Sequence, residues 1–198
     1  MSGTVGDNIA RASGVIAAAG GGAWNLIQSQ TASSSTYIEF TTQITSTYDV
    51  YKIFLTNVHH SGDADSALFQ FRQSGSYLTY DYRYAVARVV DSSSTVDAAI
   101  SQSAAHILLN RDATGSATGE GYSMEITIWD PLGTDNYKKI HYNGANINHD
   151  GTIKHELGAG AWVVSTLDNT AAMDGVKIFT SAGNIASGTF AIYGLAKS

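Results

Sequence analysis

The chain has no cysteine and a single proline in 198 residues. The first absence excludes a disulfide-stapled scaffold and any thiolate-held zinc or iron–sulfur cluster. Charge is scarce as well, at 14% of residues, with 11 basic against 17 acidic side chains and a formal net charge of −6. That balance speaks against a protein whose main task is to hold nucleic-acid phosphates. Long apolar runs are missing: Val15–Ala19 is the longest near the start, whereas a membrane-spanning helix needs about 20 residues. The first ten residues carry Asp7 and no Lys or Arg, so a cleaved leader is not expected. No Asn-x-Ser/Thr sequon occurs. The expectations are no nucleic-acid partner, no membrane insertion and no cofactor.

What is present is small and apolar. The chain holds 22 Ser, 19 Thr, 26 Ala and 20 Gly, yet 43% of it is hydrophobic, which suits a folded domain and not a disordered one. A chain of this length buries roughly 70% of the surface its unfolded form exposes. Residues 1–22 differ from the rest: they contain no aromatic side chain and end in Gly20-Gly21-Gly22. Ile9, Ala12, Val15 and Ile16 could form two helical turns capped by Asp7 or Asn8. A helix that short is not stable alone in water and needs a surface to lie on. The segment therefore reads as an extended or short-helical arm on a triple-glycine hinge, followed by one domain over 23–198.

From Ala23 onward the pattern predicts strand after strand. The expected runs are Ala23–Gln30, Thr36–Thr42, Val50–Val58, Ala67–Gln73, Leu78–Val90, His106–Asn110, Tyr122–Asp130, Tyr137–Asn143, Ala161–Thr166, Gly175–Thr180 and Gly188–Leu195. Ile, Val, Tyr, Phe and Thr fill them, and Gly, Ser, Asn and Asp punctuate them. Tyr122, Met124, Ile126 and Ile128 alternate with Ser123, Glu125, Thr127 and Trp129, which puts the first set on a core face. Val50–Val58 is apolar on both faces and reads as central in a sheet. Asn143–Gly160 reads as the longest irregular stretch. Many short strands without a helical period predict an all-β protein, a β-sandwich of jelly-roll type.

Motifs of chemistry are weak. Gly158-Ala159-Gly160 lacks the third glycine of a dinucleotide cradle, and no Gly-Lys-Ser/Thr occurs. Gly115-Ser116-Ala117-Thr118-Gly119 has its serine in the wrong place for a nucleophile elbow. Asn146–Gly151 matches the first half of a calcium loop, but the closing carboxylate, Glu156, falls one position short. A turn held by Asn and Asp side chains explains that segment better. No catalytic residue and no metal ligand is assigned. Tyrosine is the enriched interactive residue, at eleven. Tyr80, Tyr82 and Tyr84 would share one face of a strand, near Arg72, Arg83 and Arg88. With Trp129 and Trp162 they are the candidates for an interface or a glycan platform, because such rings offer rigid area with a polar tip.

The opening Ser2-Gly3-Thr4-Val5-Gly6-Asp7-Asn8-Ile9-Ala10-Arg11-Ala12-Ser13-Gly14 resembles the lead-in of structural proteins of tailed bacteriophages, marine and cyanobacterial ones especially. Ala23–Ile27, Tyr51–Val58 and the closing Gly188–Leu195 are similar too. The resemblance implies a non-enzymatic virion component, made in the host bacterial cytoplasm: a tail-fibre or appendage module, or a capsid cement (decoration) protein. It further implies a jelly roll, a homo-trimer, and tail or capsid proteins as partners. Thr4, Val5, Asp7, Asn8, Ile9, Arg11, Val15 and Ile16 would then dock the arm on another virion protein. The alternative is a lectin-like module that recognises a host-surface glycan. A hydrolase would need two carboxylates about 5–10 Å apart in a cleft, and no motif places Glu39, Glu120, Glu125 or Glu156 so.

Overall fold

The computed structural model describes residues 23–91, 96–163 and 170–197. The arm and its docking residues lie outside the described residues, as does the end of the run expected over Ala161–Thr166. The described residues form thirteen strands and no helix. They are β1 Trp24–Ser35, β2 Tyr37–Phe40, β3 Tyr48–His60, β4 Ala67–Gln73, β5 Ser76–Tyr77, β6 Tyr82–Val90 and β7 Val96–Ala104. Then follow β8 Ile107–Leu108, β9 Gly121–Trp129, β10 Lys138–Ile147, β11 Ile153–Trp162, β12 Gly175–Thr180 and β13 Ile185–Ala196.

Two antiparallel sheets result, so the all-β sandwich expectation stands. The larger has eight strands in the order β1-β13-β3-β9-β10-β11-β6-β7, and the smaller runs β2-β12-β4-β5, with β8 also on β4. β3 is central, between β13 and β9, but one face alone is buried: Tyr51, Ile53 and Leu55 point into the core, while Lys52, Phe54 and Thr56 point outward. The alternation in β9 holds: Tyr122, Met124, Ile126 and Ile128 are buried and Trp129 is exposed. The core lies between the sheets, around Phe40, Tyr51, Ile53, Phe69, Phe71, Val176, Phe190 and Ile192. The Tyr82 hydroxyl accepts the Phe71 amide proton at 2.7 Å, tying one sheet to the other.

The expected pattern fails in two places. Asn143–Gly160 is not irregular; most of it is the β10–β11 hairpin, paired from Lys138↔Trp162 to Ile147↔Ile153. Val96–Ala104, which no expected run covers, is edge strand β7. The reason lies in where they sit. The smaller sheet reaches Gly160 through Ile107 of β8 but not the start of β11, so the inner face there carries Lys154 and Glu156, while Ile153 and Leu157 face out. The usual apolar-in alternation is inverted there. Gly158 is required because the Tyr142 ring crosses it: a β-carbon at 158 would lie 2.3 Å from that ring. The ring is held at that same end, where the Tyr142 hydroxyl donates to Leu108 O at 2.5 Å.

A polar knot covers the overhanging inner face. Both oxygens of Glu156 accept backbone protons, from Arg111 N at 2.9 Å and Asp112 N at 3.4 Å. Asp112 Oδ2 meets Arg88 at 2.5 Å and Lys154 at 3.6 Å, and accepts from Asn148 Nδ2 at 2.9 Å. Thr114 Oγ1 donates to Asn146 Oδ1, and Asn146 Nδ2 donates to Asp112 O. The segment 110–114 is thereby fastened under β10 and β11. Burial raises the Glu156 carboxyl above the ordinary range, against the lowering effect of the two amides and Arg88.

Candidate functional site

The calcium-like motif forms the hydrogen-bonded β10–β11 turn. Asn148 Oδ1 accepts the amide protons of Asp150 and Thr152, Gly151 takes φ +76°, and Asn146 Oδ1 is occupied by Thr114. The four glutamates occupy separate surroundings. Glu39 bonds Tyr77 on the smaller sheet, Glu125 pairs with Lys52 at 3.0 Å on the outer face, Glu156 is inside, and Glu120 accepts from Ala117 N.

Of the five aromatic candidates, two are in the core. Trp162 and Tyr82 are fully buried, because both point inward from neighbouring strands β11 and β6, where Trp162 pairs with Tyr82. Tyr84 shares that inner face and is half-buried. Tyr80 does not share it: it precedes β6, and Asp81 (φ 59°) breaks the alternation between them. Tyr80 is exposed, with its carbonyl accepting the Trp162 indole proton at 3.1 Å.

Trp129 is the candidate that reaches solvent at a concavity. It is 43% exposed at the end of β9 and lines a groove of about 710 Å3 on the outer face of the larger sheet. The register explains the lining. Trp129 pairs with Lys139, Lys139 with Ala161 and Ala161 with Arg83, so these four side chains cross four strands in a row. The next row holds His141, Ala159 and Ala85. Alanines form the floor, and the long side chains form the rims. The His141 ring lies 6.3 Å from the Trp129 ring, tilted by 46°. Lys138, the neighbour of Lys139, turns inward and is buried. Its amine donates to Gly133 O and Asn136 O, and desolvation lowers its pKa.

A broader apolar surface borders the groove. Val89, Val96, Ile100, Ile153 and Leu157 keep between 46 and 73% of their area exposed. Cross-strand register joins them through Ala87 on β6 and Ala98 on β7, with His155 also exposed between Ile153 and Leu157 on β11. β7 is an edge strand of nine residues with Asp97 as its one charge. It lacks the lysines and proline that usually blunt a free edge. Sequence reasoning missed this surface because it missed β7 and β11. At the opposite end, Trp24, Leu26 and Phe54 are also exposed, but Lys52 Nζ sits 5.4 Å from the Trp24 ring and 5.7 Å from Phe54.

A second groove of about 710 Å3 is lined by Asn57, His59, His60, Glu120 and Tyr122 among others. His60 is 1% exposed, Tyr122 is 2% exposed, and their rings lie 5.3 Å apart. His60 Nδ1 is 3.2 Å from Asp65 O, and burial holds the imidazole pKa below its usual value. A base whose folded pKa lies below its unfolded value of about 6.5 leaves the unfolded chain binding more protons beneath that pH. The stability associated with neutral His60 is therefore complete above pH 6.5 and lost as pH falls through the folded pKa. Thermal melts should show Tm dropping from pH 7 to pH 5, and His60→Phe should flatten that slope; an unchanged slope in the variant would assign it to other groups.

Comparison with protein-family models, with curated proteins and with solved structures gives no match to this chain.

Proposed function

We propose that the protein is a non-enzymatic structural component of a tailed-bacteriophage virion, assembling as a homo-oligomer, a trimer, on the particle exterior. The observation that carries this reading is the bare aliphatic face beside the open edge β7. Monomeric proteins rarely leave contiguous apolar patches beyond a few hundred Å2 uncovered, and the occupant that best fits a largely aliphatic face of small and branched side chains is a different surface of a neighbouring copy, the head-to-tail contact that closes a three-membered ring. The strand order supports a jelly roll as the finer fold. β1-β13-β3-β9 facing β2-β12-β4-β8 is the order that two Greek keys produce in an eight-stranded sandwich. On this reading β6–β7 and β10–β11 are hairpins added to one side of it. The opening residues add the resemblance to phage structural proteins, and the arm would dock on another virion protein, in a tail fibre, an appendage or a capsid decoration.

Light scattering of the full chain tests the reading. The expected result is a trimer that Ile100→Lys with Leu157→Lys converts to a folded monomer; a wild-type monomer at high micromolar concentration would overturn it. In the same preparations, a chain lacking residues 1–19 should still oligomerise and fail to join particles.

The second reading is a lectin-like module for a host-surface glycan. It is favoured by one observation, the exposed Trp129 at the rim of a groove.

A further inference from the structure

We infer that the groove beside Trp129 is a binding site for an acidic saccharide, a uronate-type sugar, with Trp129 as the stacking platform and Arg83 and Lys139 as the anion-binding rims. This rests on the glycan reading and specifies its ligand.

Charge is the first argument. The chain carries 17 acidic side chains against 11 basic ones, yet the groove lining includes Arg83, Lys139 and His141 and no Asp or Glu. Arg83 and Lys139 are exposed, and neither forms an ion pair among the described residues. Elsewhere the basic residues are mostly committed: Arg72 to Asp174, Arg88 to Asp97 and Asp112, Arg111 to Asp97, Lys52 to Glu125 and Lys197 to Asp49. Two uncommitted cations on one concavity of an acidic protein form a local field of the opposite sign to the whole. A guanidinium and an ammonium flanking a trough suit a carboxylate, which accepts charge-assisted hydrogen bonds from both.

Shape is the second argument. Lys139 and Arg83 lie on strands two steps apart, so their backbones are about 10 Å apart, with Ala161 between them. An alanine floor admits a flat ring that a larger side chain would exclude. The His141 ring supports one side of the Trp129 indole while 43% of the residue stays open. An aromatic face so held presents rigid apolar area to the C–H face of a pyranose at little entropic cost. An acidic peptide would satisfy the cations but would leave the indole face without a matching flat partner.

Titration of the full-length oligomer with tri-galacturonate, followed by Trp fluorescence and calorimetry, tests the assignment. Its fully methyl-esterified counterpart serves as the uncharged control. The acid should bind, more weakly as salt rises, and the ester should bind about tenfold or more less tightly. Trp129→Ala should abolish binding of the acid, and Arg83→Ala with Lys139→Ala should bring the acid down to the level of the ester. Equal binding of acid and ester, lost in Trp129→Ala, would overturn the acidic preference and leave the glycan reading standing. Binding of neither would overturn both. Binding of hexaglutamate as tightly as tri-galacturonate would overturn the saccharide assignment in favour of an acidic peptide.

Discussion

Asp112→Ala should destabilise the fold by about 3 kcal/mol, at the lower end of the range for breaking a buried charge cluster. Asp112 Oδ2 is the common partner of Arg88, Lys154 and Asn148. Lys154 is 4% exposed, and Asp112 is the carboxylate it meets. Removing that carboxylate leaves an ammonium inside the protein without a counter-charge. Arg88 retains Asp97 at 3.1 Å, and Asp112 itself keeps about a fifth of its side chain in contact with water, so the loss falls short of the full penalty. Asp112→Asn should cost less, because the amide oxygen can still accept from Asn148. Urea denaturation at constant slope measures both. A loss below about 1 kcal/mol for the alanine variant would mean that the 110–114 segment is held by its backbone bonds alone.

The second large effect is expected at Trp162. It is fully buried, its indole N–H donates to Tyr80 O, and its ring meets the Tyr80 ring at a centroid distance of 6.2 Å. Trp162→Ala should cost about 3–5 kcal/mol through lost burial and the cavity left behind. Against a total of about 5–15 kcal/mol for a domain, that leaves a marginal fold. Trp162→Phe, which keeps most of the volume and loses the donor, should cost about 1–2 kcal/mol. Denaturation midpoints of the two variants check the order. An alanine variant within about 0.5 kcal/mol of the parent would instead place this ring at the surface.

The two aromatic candidates that turned inward mark where sequence was a sufficient guide and where it was not. Strands that sandwich the main core were legible, because alternation there follows the ordinary rule: β4 and β12 were expected at the residues where they occur, and the core face of β9 was expected correctly. β11 was not legible, since Lys154 and Glu156 point in and Ile153 and Leu157 point out. β7 was not legible either, because Ala, Ser and Gln make up most of it and carry little strand preference. The inner face of β11 at Lys154 and Glu156 is covered by the 110–114 segment and not by a strand, and a sequence window cannot register what lies opposite. The site followed the same division. Tyr82 and Trp162 had the residue type of a platform, but the face they occupy was decided by Asp81 and by the pairing of β11 with β6. Trp129 was placed correctly, outward from a strand with clean alternation. The Arg83 and Lys139 rims could not be foreseen, since they meet only through β11.

That pairing also fixes an order of events for the growing chain. β6 and β7 leave the ribosome well before β11, the strand that joins them to the rest of the larger sheet. Until β11 arrives, the early hairpin has one bare backbone edge on each side and no sheet to belong to. Its mature place depends on contacts distant in sequence, the kind that form slowly and favour association between chains in the meantime. The interval between making β6 and making β11 is thus the period in which neighbouring nascent copies could exchange this hairpin.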